Sequence, residues 1–152
     1  MRPLVLALLM SACSGDDGTR HVKTFAGRWT YGAATVTSTC TPPPTTPTGT
    51  ATFSLVDDRH VTTDQLAQLA QVSPVTSCDP LFSYSPDGML YFVTSDLRCD
   101  VTEADGTAGE LNWSDYRLEP SVAQTTLTFA TTFSLVDASG TCTTHAMGTL
   151  SR

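Results

Sequence analysis

The chain has 152 residues, 40% of them hydrophobic, and a formal charge of −7. That length bounds it to one domain, or one domain plus an anchor, with enough apolar residues for a real core. Eight basic side chains stand against fifteen acidic ones; phosphates and anionic headgroups would repel such a surface, which argues against nucleic-acid binding and against membrane contact through a basic patch.

The chain opens with "MRPLVLALLMSAC": one positive charge at Arg2, an apolar run from Leu4 to Met10, then Ser11 and Ala12 before Cys13. A run this short cannot span a bilayer as a helix, but it has the make-up of the apolar segment of a signal peptide. Its end resembles the bacterial lipobox, in which a large apolar residue and two small ones precede a cysteine. The resemblance implies that residues 1–12 are a signal peptide removed on export, and that Cys13 becomes the first residue, with a diacylglyceryl group on its thiol and an acyl chain on its amino terminus. Ser14, where that class's sorting rule would place an Asp for retention, implies the outer membrane. Each buried methylene of such chains contributes about 0.8 kcal/mol, so several chains together hold a protein on the lipid durably. The expected contact with the membrane is this N-terminal lipid alone.

Residues 13–24, the cysteine and "SGDDGTRHVKT", carry no periodic apolar signal and read as a flexible tether, with the folded domain over 25–152. "GRWTYGAATVTSTC" (27–40) predicts a strand with Trp29, Tyr31, Ala33 and Thr35 on one face. "TPPPTTPTG" (41–49) cannot donate at four positions and predicts a stiff polyproline-like loop. "TATFSLVD" (50–57) is a second strand. "TTDQLAQLAQV" (62–72) is the one predicted helix, with Thr62 and Gln65 at capping-box spacing and Leu66, Leu69 and Ala70 on one stripe. Short strands follow over 75–85, 89–95, from Arg98 to a turn at Asp105-Gly106, and over 110–118, 124–137 and 141–150, with another turn at 86–88. Leu127, Phe129, Thr131, Phe133 and Leu135 alternate without a break, as in a sheet with one dry face. The expected class is all-β: an antiparallel meander closed into a small barrel of about eight strands, with one short helix. "FSLVD" occurs twice, at 53–57 and 133–137; a duplication and a convergence of two strands ending at turns both produce such an echo.

Setting Cys13 aside leaves Cys40, Cys78, Cys99 and Cys142, an even number that in an exported chain reads as two disulfides. A zinc site is disfavoured because no C-x-x-C pair exists and every spacing exceeds twenty residues. Cys78 and Cys99 flank the hairpin centred near Asp87-Gly88, nearly opposite each other. Cys40 ends the first strand and Cys142 begins the last, which are neighbours in a closed meander. The expected pairs are therefore Cys78–Cys99 and Cys40–Cys142.

"GRW" at 27–29 resembles the Gly-x-Trp that opens the first strand of lipocalins, and the resemblance implies that Trp29 plugs one end of a barrel. The chain also looks like the small disulfide-bearing, β-rich lipoproteins of Gram-negative bacteria. No nucleophile motif such as Gly-x-Ser-x-Gly is present; the acidic residues and imidazole of "DDRH" (57–60) read as a solvated turn; no catalytic residue, metal or cofactor is expected. Two functions follow. One is a non-enzymatic binding or structural module of the cell envelope whose loops contact a protein or glycan. The other is a lipocalin-like carrier of a small apolar ligand, lined by Trp29, Tyr31, Phe82, Phe92 and Trp113.

Overall fold

The computed structural model describes residues 19–75, 78–85, 90–92 and 97–152. Residues 1–12, Cys13 and the expected turn at 86–88 lie outside them. The class is all-β, as the alternating patterns predict.

In β9 (Thr126–Asp137), Leu127, Phe129, Thr131 and Phe133 are buried. Both edges of this strand are paired, through ten residue pairs with β8 (Ala108–Pro120) and twelve with β10 (Gly140–Ser151). β10 continues onto β1 (Gly27–Ser38), so the first and last strands are antiparallel neighbours. β7 (Leu97–Thr102) covers the other edge of β8 through six pairs. This half of the wall is regular because each strand is long and one-faced.

The other half is thinner. β2 (Thr50–Leu55), β3 (His60–Thr63), β5 (Phe82–Tyr84) and β6 (Leu90–Phe92) join β1 to β8 through ladders of two to four pairs. β6 and β7 lie end to end along the same edge of β8, and β4 (Ser73–Pro74) adds two pairs outside β7. Among the described residues one antiparallel sheet thus holds ten strands. The long ladders make an open half-barrel where a closed eight-stranded barrel was expected, and only the short ladders of β2, β3, β5 and β6 connect its two sides. The physical reason lies in the local sequence: the prolines after Cys40 supply no donors, and residues 64–72 leave the sheet for a helix, so strands on this side stay too short for long ladders.

Two further expectations are corrected. A helix, α1 (Thr19–Phe25), takes in residues 19–24 of the expected 13–24 tether and buries Val22 and Phe25, while residues 13–18 lie outside the described residues. Two apolar residues at i, i+3 spacing are too few to register as a period, and this helix is held by tertiary packing. The expected helix at 62–72 shortens to α2 (Gln65–Ala70), because His60–Thr63 is taken up by β3. The hydroxyl of Thr63, not Thr62, accepts the Gln65 N–H at 3.2 Å.

In β1 the inward face changes phase. Trp29 and Tyr31 are buried as predicted, but Ala34, Val36 and Ser38 then turn inward in place of Ala33 and Thr35. A bulge between Tyr31 and Ala34 causes the switch, since one extra residue exchanges the two faces of a strand. Gly148 makes the bulge fit: a Cβ there would meet the Ala33 carbonyl oxygen and the Ala34 Cβ at 2.7 Å.

The repeated "FSLVD" does the same local work twice. Phe53 and Phe133 enter the core, and the closing aspartate caps the turn that follows. Asp57 Oδ1 accepts from the Arg59 and His60 N–H groups at 2.7 and 2.9 Å; Asp137 Oδ1 accepts from Ser139 and Gly140 at 2.6 and 3.1 Å. An alternating strand ending in an Asx-turn accounts for the echo.

Candidate functional site

The two ends of the sheet are built differently. At the end where β1 begins, Trp29 is fully buried and its indole N–H donates to the Phe25 carbonyl at 2.9 Å. Phe25 stacks on Trp29 and on Tyr84, and the Arg152 guanidinium lies 4.6 Å from the Trp29 ring centroid. The same arginine donates to the Thr24 carbonyl, tying the last strand to the end of α1. Helix α1, Trp29 and Arg152 together seal this end.

The interior behind it is filled. Trp113 donates through its indole N–H to the Thr131 hydroxyl at 2.6 Å, and packs against Phe133 at 4.7 Å between centroids. Phe82 meets Tyr116 edge-on at 4.9 Å. The Tyr116 hydroxyl donates to the buried Gln65 side chain. Burial lifts the Tyr31 and Tyr116 hydroxyls well above the usual phenol range, so both stay neutral. Of the residues expected to line a ligand, Trp29, Tyr31, Phe82 and Trp113 thus belong to the core; Phe92 lies on β6.

The concave space is at the opposite end, where β1 finishes. A cleft of about 400 Å³ opens between the Pro42–Pro44 segment, the end of α2, and the turns that follow β7 and β9. The Cys40–Cys142 disulfide forms part of its wall. That bond joins the end of β1 to the start of β10, with Cα atoms 4.9 Å apart. Cys78 and Cys99 form the second disulfide, at 5.6 Å. Both pairs are the expected ones.

The cleft floor is apolar, made by Val72, Leu111, Phe133 and Leu135, and three carboxylates stand on its rim: Glu103, Asp105 and Asp137. Asp105 is held below the ordinary range first by the Thr107 N–H, and Asp137 first by the Ser139 hydroxyl. Glu103 moves the other way, through loss of hydration and then through the neighbouring Asp137. A carboxyl whose pKa is raised by folding adds stability below its unfolded pKa and loses it as pH rises through the folded value. Glu103→Gln is therefore expected to melt higher than the native protein at pH 7. The gap should close as pH falls below about 4, the ordinary glutamate range. Thermal melts across that interval provide the check, and a variant melting lower at pH 7 contradicts the assignment.

No family model matches the chain, and no curated protein matches its sequence.

Residues 57–60 form the turn expected of them, with the His60 ring nitrogen 2.8 Å from Asp57 at an exposed site. Among the described residues no group of three or more His, Cys, Asp or Glu side chains is placed to hold a metal ion. Sequence reasoning missed the cleft because its parts come from five separate segments. The available signal was the proline run directly after Cys40, which had to be braced by whatever that cysteine bonds.

Proposed function

We propose that this protein is a non-enzymatic, lipid-anchored module of the bacterial cell envelope that binds through the cleft at the disulfide-braced end of its sheet. The observation that carries this reading is the division between a filled interior and a concave space outside it. Aromatic side chains already desolvated against one another offer a ligand little, whereas a cleft with an apolar floor and a polar rim has the make-up of small-molecule sites. Export is supported by the two disulfides, which persist in oxidising compartments and are rare in the cytosol.

The anchor reading rests on the apolar run ending in Ser11-Ala12-Cys13, and on Ser14 for the outer membrane. Thr19, where α1 begins, stands six positions after Cys13, and α1 packs at the Trp29 end. A lipid on Cys13 would then hold the Trp29 end close to the membrane and leave the cleft facing away from it. The expected result is that Cys13→Ser moves the protein from the membrane to the soluble fraction. The native membrane form should have the intact mass of a chain lacking residues 1–12 and carrying acyl groups. A membrane form that retains Met1 would end the anchor reading.

A further inference from the structure

We propose that the Trp29 end of the sheet is a docking face for an anionic phospholipid surface: the exposed loop tips Leu55, Val56 and Val122 enter the headgroup layer while Lys23, Arg28 and Arg59 lie against its phosphates. The contact belongs to the folded domain and goes beyond the anchor reading, since it needs no lipid on Cys13. The topology brings these residues together. Phe53 pairs with Gly27, so Leu55, Val56 and the turn carrying Arg59 project past the first residue of β1. Arg28 stands beside them, opposite Thr52, and Lys23 reaches the same turn through a 2.9 Å ion pair with Asp58. Ser151 pairs with Thr30 on one side and Thr126 on the other, which sets Arg152 and the turn holding Val122 at this end as well.

Val122 is fully exposed, Val56 is 53% and Leu55 44% exposed; these are three of the five large apolar side chains left in solvent among the described residues. Attachment to a lipid interface grows with the apolar area buried in it and with the attraction of cations to its phosphates. The net charge of −7 argues against such a contact only where charge is spread evenly, and here it is segregated. Glu103, Asp105 and Asp137 stand at the cleft, and Asp100 and Glu110 pair in register in the same half of the sheet. A twelve-residue strand such as β10 is about 40 Å long. That is several times the Debye length of about 8 Å at physiological salt, so those carboxylates are screened from the Trp29 end. The acids nearest the face are engaged or set back from it. Asp58 pairs with Lys23, Asp57 accepts from the Arg59 and His60 N–H groups, and Glu119 stands on the wall of β8 opposite Thr128. A lipid on Cys13, six positions before Thr19, would keep this end within about 20 Å of the surface. The contact is weak and reversible by itself, so a chain without its lipid is still released, but on an anchored chain it fixes the orientation of the domain.

The test sediments the full oxidised chain carrying Cys13→Ser, which has no thiol to lipidate, with vesicles of phosphatidylcholine or of an equal mixture of phosphatidylcholine and phosphatidylglycerol. The mixed vesicles should bind it at least about tenfold more tightly than the neutral ones, a difference that high salt removes. Arg28→Gln/Arg59→Gln should weaken binding to the mixed vesicles by about tenfold or more. Leu55→Ser/Val56→Ser/Val122→Ser should weaken it by about tenfold. Arg98→Gln/Arg117→Gln removes the same charge from the wall of the sheet, and Met147→Ser removes an exposed apolar side chain from β10; both should leave binding unchanged. Far-ultraviolet circular dichroism checks that each variant folds. Equal binding to the two kinds of vesicle overturns the docking face, as does an equal loss in the wall variants. Binding that survives both the arginine and the loop-tip substitutions assigns the contact to another part of the chain and overturns it too. No binding to either vesicle overturns it while leaving the anchor reading to the intact mass of the native membrane form.

Discussion

Trp29→Ala is expected to lower the unfolding free energy by about 3–5 kcal/mol, the range for truncating a fully buried large aromatic. Three losses combine at this position. The ring vacates a site with no solvent exposure, packed against Phe25 and edge-on to Phe53. The buried Phe25 carbonyl loses the indole N–H that bonds it. Arg152 loses the ring face beneath its guanidinium, leaving its bond to Thr24 as the tie between β10 and α1. Domains of this kind have only about 5–15 kcal/mol in total, so the variant should be partly unfolded at physiological temperature. Urea denaturation followed by far-ultraviolet circular dichroism measures the effect. Trp29→Phe restores most of the apolar volume but not the hydrogen bond, and should fall between the two. A Trp29→Ala protein as stable as the native one would mean that this end of the sheet is not sealed as described. The same filled core predicts no saturable quenching of tryptophan fluorescence by fatty acids.

The second large effect belongs to the Cys40–Cys142 disulfide, which closes a separation of 102 residues. If a cross-link acts mainly by restricting the unfolded chain, a loop of that size is worth about 4.7 kcal/mol. The Cys78–Cys99 bond, with a separation of 21, is worth about 3 kcal/mol on the same basis. The double variant Cys40→Ala/Cys142→Ala should therefore lose more stability than Cys78→Ala/Cys99→Ala. It should also loosen the cleft, since the Pro42–Pro44 segment would no longer be held against β10. Paired denaturation curves check the order of the two. Equal losses would place the effect of the longer bond in native packing rather than in chain entropy.

Much of this protein was legible in its sequence because the signals are local. The break-free alternation of Leu127, Phe129, Thr131 and Phe133 predicts β9 and its buried face, since strand periodicity is a property of consecutive residues. The Cys40–Cys142 pair followed from which strand ends must meet, and the Cys78–Cys99 pair from two cysteines flanking one hairpin. Asp57, Asp105 and Asp137 close turns because an aspartate accepts hydrogen bonds from the backbone two or three residues on, wherever the turn lies in the fold. Other features were decided by contacts between distant segments. The β1 bulge depends on the close approach of Gly148, more than a hundred residues away, and it alone reverses which of residues 33–38 face inward. Helix α1 exists because Val22 and Phe25 find the Trp29 end of the sheet; seven residues have too little intrinsic helix stability to form without that surface. The wall remained an open half-barrel because ladder length on its thin side depended on how the proline loop and α2 were accommodated. The cleft likewise required five segments to converge on one end, and no pattern within any one of them encodes the distance to the others.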